Sequence, residues 1–235
     1  IGRFVVPALL RPEWSRTASR SADAGRPLPG QDVVAAQTRL ALLDLPEPAT
    51  GQPTLFLAAA SPSNSWRPVP IEVEVGGVIS TDRSALAEAV LGSALTPLAA
   101  GQSALVDELN WIDVQLANPD HWLQSRDDAA LAMGANLAAV GDEVIQFGSA
   151  EAIGPGRFRL SRLLRGRGGT EWAIAAHGAG EDFVLLDGRS LKTLSLPVEL
   201  LGMPVRVTAH GPGDQPDPPA ATMTADGEAM RPLAQ

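Results

Sequence analysis

Apolar and polar positions alternate most cleanly over residues 70–75. There Ile71, Val73 and Val75 share one face and Glu72 and Glu74 the other, the period of a half-buried β-strand. Residues 111–116 repeat the pattern, with Ile112, Val114 and Leu116 facing inward. Three apolar-rich stretches, 136–140, 143–153 and 157–164, are separated by Gly141-Asp142 and by Gly154-Pro155-Gly156. Both separators carry tight-turn chemistry, so the three stretches predict antiparallel hairpins. Apolar runs at 39–45 and 55–60, split by the breaker-rich 46–51, predict two more strands, and 183–186 and 204–207 two short ones. Residues 3–10 read as a short strand entering a polar loop at 16–32. Residues 84–91 fit either a turn or two of helix or extended chain around Gly92 and Pro97. Ser125 with Asp128 resembles a capping box ahead of a short helix at 129–133, which Gly134 would stop, and a second brief helix is expected at 170–176, stopped by Gly178. No βαβ pattern and no internal repeat is present. The expected fold class is mainly β: antiparallel β-barrel or sandwich units with one or two short helices.

Three regions follow from this pattern. Residues 1–82 form a β unit expected to be completed by chain upstream, and residues 83–210 an antiparallel β-barrel-like domain. Residues 211–235 open on Gly-Pro-Gly-Asp-Gln-Pro-Asp-Pro-Pro, which predicts a Pro/Gly-rich linker to a following domain. The opening Ile1-Gly2-Arg3-Phe4 has neither an initiator methionine nor the features of a signal peptide, so the chain is expected to be an internal fragment.

Composition narrows the function classes. Of the 235 residues 45% are apolar and 19% charged, enough apolar surface to bury a sizeable core. Tyrosine is absent and only five Trp and five Phe occur, so Leu, Val, Ile and Ala must fill that core. A formal net charge of -9 disfavours general nucleic-acid binding and attraction to anionic membranes. The absence of cysteine excludes disulfides, thiolate zinc sites and cysteine nucleophiles. Apolar stretches such as 129–140 are shorter than the roughly 18–20 residues of a membrane-spanning helix, so no membrane insertion is expected.

Catalytic and cofactor motifs fail on inspection. There is no Gly-x-Ser-x-Gly elbow, His-Glu-x-x-His pair, EF-hand loop or Walker motif. Gly166-Arg167-Gly168-Gly169 begins like a dinucleotide loop, but Glu171 stands where the third glycine belongs. His121, His177 and His210 are scattered and read as ordinary surface or hydrogen-bonded histidines, and no carboxylate pair is singled out for acid–base work. No catalytic, cofactor or metal site is expected.

One feature stands against the acidic background. Arg157, Arg159, Arg162, Arg165 and Arg167 fall within eleven residues, followed by Glu171 and Trp172. These seven residues form the candidate interface, for DNA, a phosphate-bearing surface or an acidic neighbouring subunit. The plainer reading is a solvated strand face or a salt-bridged protein contact, since Phe158 and Leu160 alternate with Arg157 and Arg159. Trp172 would either plug a barrel end, the favoured reading, or sit at an interface; Trp14, Trp66, Trp111 and Trp122 are expected in the core.

The string GDEVIQFGSAEAIGPGRFRLSRLLRGRGGTEWAIAAHGAGEDFVLLDG, residues 141–188, resembles the C-terminal part of the tail proteins of gene transfer agents and related long-tailed phages. ALTPLAAGQSALVDELNWIDVQLA and DDAALAMGANLAAV upstream fit the same family in the same order at a lower level of match. The resemblance extends over about residues 38–210 and is strongest at 160–172, departing at Gly168, where a second arginine commonly sits. It implies a non-enzymatic structural segment of a baseplate hub at the virion tail tip, without cofactor. Its partners would be further copies of itself in a homotrimer and the adjoining tail and baseplate proteins. The family's glycosidase-like TIM barrel lies outside this chain, so no hydrolase activity is implied. The alternative is a module binding a host-surface glycan or protein receptor.

Overall fold

A computed structural model describes residues 34–46, 52–85, 87–175 and 177–228, without the side chains of residues 82 and 83. The fold is mainly β, in three groups of antiparallel strands: a three-stranded sheet, a four-stranded sheet and a closed six-stranded barrel. The first sheet contains β1 (Arg39–Leu43), β2 (Thr54–Ala60) and β11 (Lys192–Ser195), in the order β1-β2-β11. The second has the order β13-β12-β3-β4, from β3 (Val69–Val75), β4 (Val78–Ala85), β12 (Pro204–Ala209) and β13 (Ala220–Thr224). The barrel is built from β5 (Leu91–Ala94), β6 (Ile112–Leu116), β7 (Leu137–Val140), β8 (Glu143–Gly154), β9 (Arg157–Leu164) and β10 (Asp182–Leu185). Closure in the order β10-β5-β6-β9-β8-β7 leaves this sheet no free edge.

The strand periodicity has a direct packing cause. Ile71, Val73 and Val75 of β3 bury one face against Leu55, Leu57 and Ala59 of β2, while Glu72 and Glu74 point the other way. β2 is apolar along its length because both its faces are covered. Its odd residues meet β3, and Phe56, Ala58 and Ala60 meet Leu91, Ala139, Val144 and Val184 on the outside of the barrel. The three-stranded sheet is therefore the middle layer. Inside the barrel, Ile112, Val114, Leu116, Phe147, Phe158 and Phe183 are all 2% exposed or less. β5 and β6 approach so closely that a Cβ at Gly92 would collide with the carbonyl of Gln115, so this position requires glycine.

Several expectations change. Residues 84–91, open between helix and extended chain, are extended at both described ends, through β4 and into β5. The short helix α1 (Asp128–Ala132) is capped by Asp127, whose carboxylate accepts from Ala130 N. Ser125 instead exchanges hydrogen bonds with Ala150. Gly134 does stop the helix, at φ +86°. The expected 170–176 helix is a single 3₁₀ turn, Glu171–Ala173.

The domain boundaries change most. The N-terminal β unit is completed from downstream: β11 pairs with β2 and β12 with β3, so the barrel, 91–185, is an insertion between the two halves of a sandwich. The stretch from 211, expected as a linker, carries β13 on the edge of the four-stranded sheet. It also holds Asp214, 1% exposed, which accepts from Thr38 N, Thr38 Oγ1 and Gly211 N at 2.6, 2.8 and 2.7 Å. Pairing partners more than a hundred residues apart leave no local mark in a sequence. The expected strand at 3–10, the loop at 16–32 and Trp14 lie outside the described residues.

Candidate functional site

One end of the barrel collects the ends of four strands and two long connections. β5 and β10 meet there through Ala94 N→Glu181 O and Gly180 N→Ala94 O, each 2.8 Å. The connection from β5 to β6, residues 95–111, and that from β9 to β10, residues 165–181, both cross this end. They are joined by a buried charged cluster. Arg165, 0% exposed, donates Nε and Nη2 to the two carboxylate oxygens of Glu143 at 2.8 and 2.7 Å. Its remaining donors reach Ala99 O and Ile174 O, and Asp107 lies 3.6 Å from Nη1. Glu143 also accepts from Gly166 N at 2.7 Å and meets His177 Nε2 at 2.6 Å. His177 Nδ1 meets Glu181 at 2.7 Å. Asp107 caps its own loop by accepting from Leu109 N, Asn110 N and Asn110 Nδ2, and its backbone bridges to Leu163.

This cluster is a clasp. Its donors and acceptors are used on one another, which a buried ionic group requires. Among the described residues no group of carboxylates and histidines is disposed to hold a metal. Burial disfavours the charged form of His177, but hydrogen bonds to Glu143 and Glu181 outweigh it and raise its pKa above 6.5. Burial likewise pushes Glu143 upward, and the bonds from His177, Arg165 and Gly166 reverse this and hold its carboxyl below the usual range. Asp107 behaves the same way: burial is outweighed by Asn110, Leu109 and Arg165, and its pKa is lowered.

A pH dependence follows. Because the folded pKa of His177 is raised, its contribution is fully present below the unfolded value of about 6.5 and is lost as the pH rises through the folded value. Glu143 and Asp107 have depressed values, so theirs is present above the unfolded values and is lost as the pH falls through the folded ones. Thermal melts at pH 6 and pH 9 should therefore show the wild type losing stability at the higher pH. A His177→Gln variant should be less stable at pH 6 and lack that alkaline loss. Parallel profiles would sink the assignment.

The clasp holds in place an apolar display. Leu105 is 66% exposed, Leu109 90% and Trp111 43%, with Leu95 and Val106 also partly open, all on the 95–111 connection or at its end. Trp172, 54% exposed, lies on the other connection; the favoured reading of it as a barrel plug is corrected. Trp111 and Trp122 are exposed too, against expectation, although Trp122 packs edge-on against Phe158 at 5.0 Å. Trp66 is part-buried against the sandwich core.

The candidate interface residues separate. Arg157 and Arg159 point outward from β9 while Phe158 and Leu160 fill the barrel, as their alternation predicts. Arg157 Nε donates to Gln115 Oε1, and Arg159 grips Asp113 with two bonds while lying 4.0 Å over the Trp111 ring. Arg162 adopts φ +54°, uncommon for a residue with a side chain, and reaches Asp128 and Glu108. Arg165 is in the clasp, and Glu171, six residues further along the chain, is exposed. Arg167 alone of the five arginines makes no side-chain hydrogen bond or ion pair with a described residue. Sequence reading missed Glu143, His177, Glu181 and Asp107, because positions 107, 143, 165, 177 and 181 converge only when the barrel closes.

Residues 89–184 match the protein-family model described as "Rcc01698-like, C-terminal". The matched span begins just before β5 and ends within β10, so it coincides with the barrel and contains the whole clasp. No curated protein matches the chain significantly.

Proposed function

We propose that this chain is a non-enzymatic structural segment of a phage-like tail, at the baseplate hub or tail tip, and that it acts by protein–protein assembly through the loop-bearing end of its barrel. The observation that carries this reading is the apolar display on residues 95–111, pinned by a buried ionic clasp. Large apolar side chains held outward on an ordered loop have a cost in water that a partner surface relieves. The resemblance of residues 141–188 to tail proteins supports the same reading, and the family match falls on the same barrel.

Light scattering after size exclusion, over a range of concentrations, tests it. The wild type should form a concentration-dependent trimer, and Leu105→Asp/Leu109→Asp should return it to monomer with an unchanged melting temperature. A wild type that stays monomeric and binds cell envelopes saturably would replace assembly by the host-surface reading.

A further inference from the structure

The side chain of His177, 3% exposed, has a carboxylate oxygen at each ring nitrogen: Glu143 Oε2 lies 2.6 Å from Nε2 and Glu181 Oε2 lies 2.7 Å from Nδ1. Glu143 is ionised, because it already accepts from Arg165 and Gly166, so Nε2 must carry a proton. A ring with no other proton would point a lone pair at the Glu181 carboxylate. The second contact therefore requires a proton of its own, whether it is drawn on Nδ1 or on Oε2. The surrounding charges are few. Arg165 stands behind Glu143 and Asp107 behind Arg165, while Asp182, next in the chain after Glu181, is exposed and interacts with Arg39. Of the two carboxylates on the ring, Glu181 is the one free to move: its side chain is 27% exposed, whereas Glu143 is fully buried under Arg165. The other oxygen of Glu181 accepts from Gly178 N at 2.5 Å and closes the turn 177–181.

We propose that the single proton shared by His177 and Glu181 latches the end of the β9–β10 connection to the barrel. While it is bound, the turn 177–181 is held on the clasp; when it leaves, Glu181 swings into water and the turn opens, with Arg165, Glu143 and the 95–111 loop staying in place. Charge decides what gives way. With the proton, Arg165 and His177 face the carboxylates of Glu143, Glu181 and Asp107; without it Arg165 alone faces all three. Glu143 is pinned by Arg165 and Gly166, so the excess is relieved at Glu181, and Gly178 N loses its acceptor. The sign follows from the contacts. Burial disfavours the charged ring, but the bonds to Glu143 and Glu181 outweigh it, so the closed turn binds the proton more tightly than the open one and opening is favoured as the pH rises. Exposed Trp172 lies on the same connection, so opening also loosens the assembling end, a consequence that rests on the assembly reading above.

Amide hydrogen exchange of the intact chain, followed residue by residue by NMR and corrected for the intrinsic rise of exchange with pH, tests the latch. The opening constant at Gly178 N–H should climb about tenfold per pH unit above about pH 6.5, until the closed His177 itself titrates. Leu163 N–H, bonded to Asp107 O, should stay far better protected throughout, because the 95–111 loop does not open with the turn. Glu181→Gln separates charge from shape. Its amide oxygen can accept from Gly178 N while its NH₂ donates to a neutral Nδ1, so the turn should stay closed at every pH and the His177 ring should titrate lower than in the wild type, read from its ¹⁵N shifts. Glu181→Ala should leave Gly178 open at every pH. The latch is overturned if Gly178 opens independently of pH in the wild type, if Glu181→Gln opens as the wild type does, or if Leu163 opens together with Gly178. Light scattering at pH 6 and pH 9 reads the consequence for assembly: the wild-type trimer should weaken at pH 9 and that of Glu181→Gln should not. A chain monomeric at both values overturns the assembly reading and not the latch, which the exchange rates judge.

Discussion

Glu143→Ala should lower stability by roughly 3–5 kcal/mol, the usual consequence of removing one partner of a buried ion pair. Arg165 would keep a charge with no water and no counter-charge except Asp107 at 3.6 Å. Gly166 N and His177 would lose their acceptor in the same step. For a protein of this size the loss corresponds to a melting temperature about 6–20 °C lower. The double variant Glu143→Leu/Arg165→Met should recover part of it, because apolar groups of similar volume remove the uncompensated charge. Recovery stays incomplete, since Gly166 N, Ala99 O and Ile174 O remain without their partners. Heat denaturation of the three proteins at pH 7 decides the matter: a single variant melting within about 2 °C of wild type would show that the clasp contributes little. The same single variant should weaken any trimer more than its stability loss alone explains, because Asp107 and Arg165 tie the display loop to the barrel.

Asp214→Ala should cost about 3 kcal/mol or more. The change deletes three hydrogen bonds to a buried carboxylate, each worth roughly 1.5–3 kcal/mol, and leaves Thr38 N and Gly211 N without acceptors. Asp214→Asn should be milder, since one amide oxygen can still accept while the NH₂ cannot replace the other. Urea unfolding measures both. A chain in which 211–228 is a linker would show no change in either variant, and truncation after His210 would also be silent. In the fold described here, truncation removes β13 from β12 and the Asp214 clamp from Thr38, and cooperative unfolding of the sandwich should be lost.

Much of the local structure is legible in the residues because each strand answers to its own surroundings. Ile71-Glu72-Val73-Glu74-Val75 alternates since one face meets the β2 side chains and the other does not. The hairpin β8–β9 is announced by Gly154-Pro155-Gly156, where Gly156 takes φ +61°. The arginine run divides along the same lines. Arg157 and Arg159 could be assigned to an outer face from Phe158 and Leu160 alone, but nothing adjacent to Arg165 marks it as the largest fully buried side chain among the described residues. Its partner Glu143 is 22 residues away and looks like any other carboxylate. Tryptophan misleads for a related reason: Trp172, Trp111 and Trp122 sit on the loop connections and one barrel end, where burial depends on neighbours that only the closed barrel supplies.

What the sequence determined by itself was the class of structure and its local pieces: antiparallel strands, tight glycine turns, one short helix, a core of aliphatic side chains and no thiol chemistry. These depend on spacing within ten residues, where side-chain period and turn stereochemistry act directly. Only the tertiary structure decided that β11, β12 and β13 return to complete the first sheets, that the barrel is inserted between them, and that five charged residues meet in a clasp. These depend on pairings across up to about 180 positions, whose free energy comes from burying surfaces against each other and is invisible until both surfaces exist.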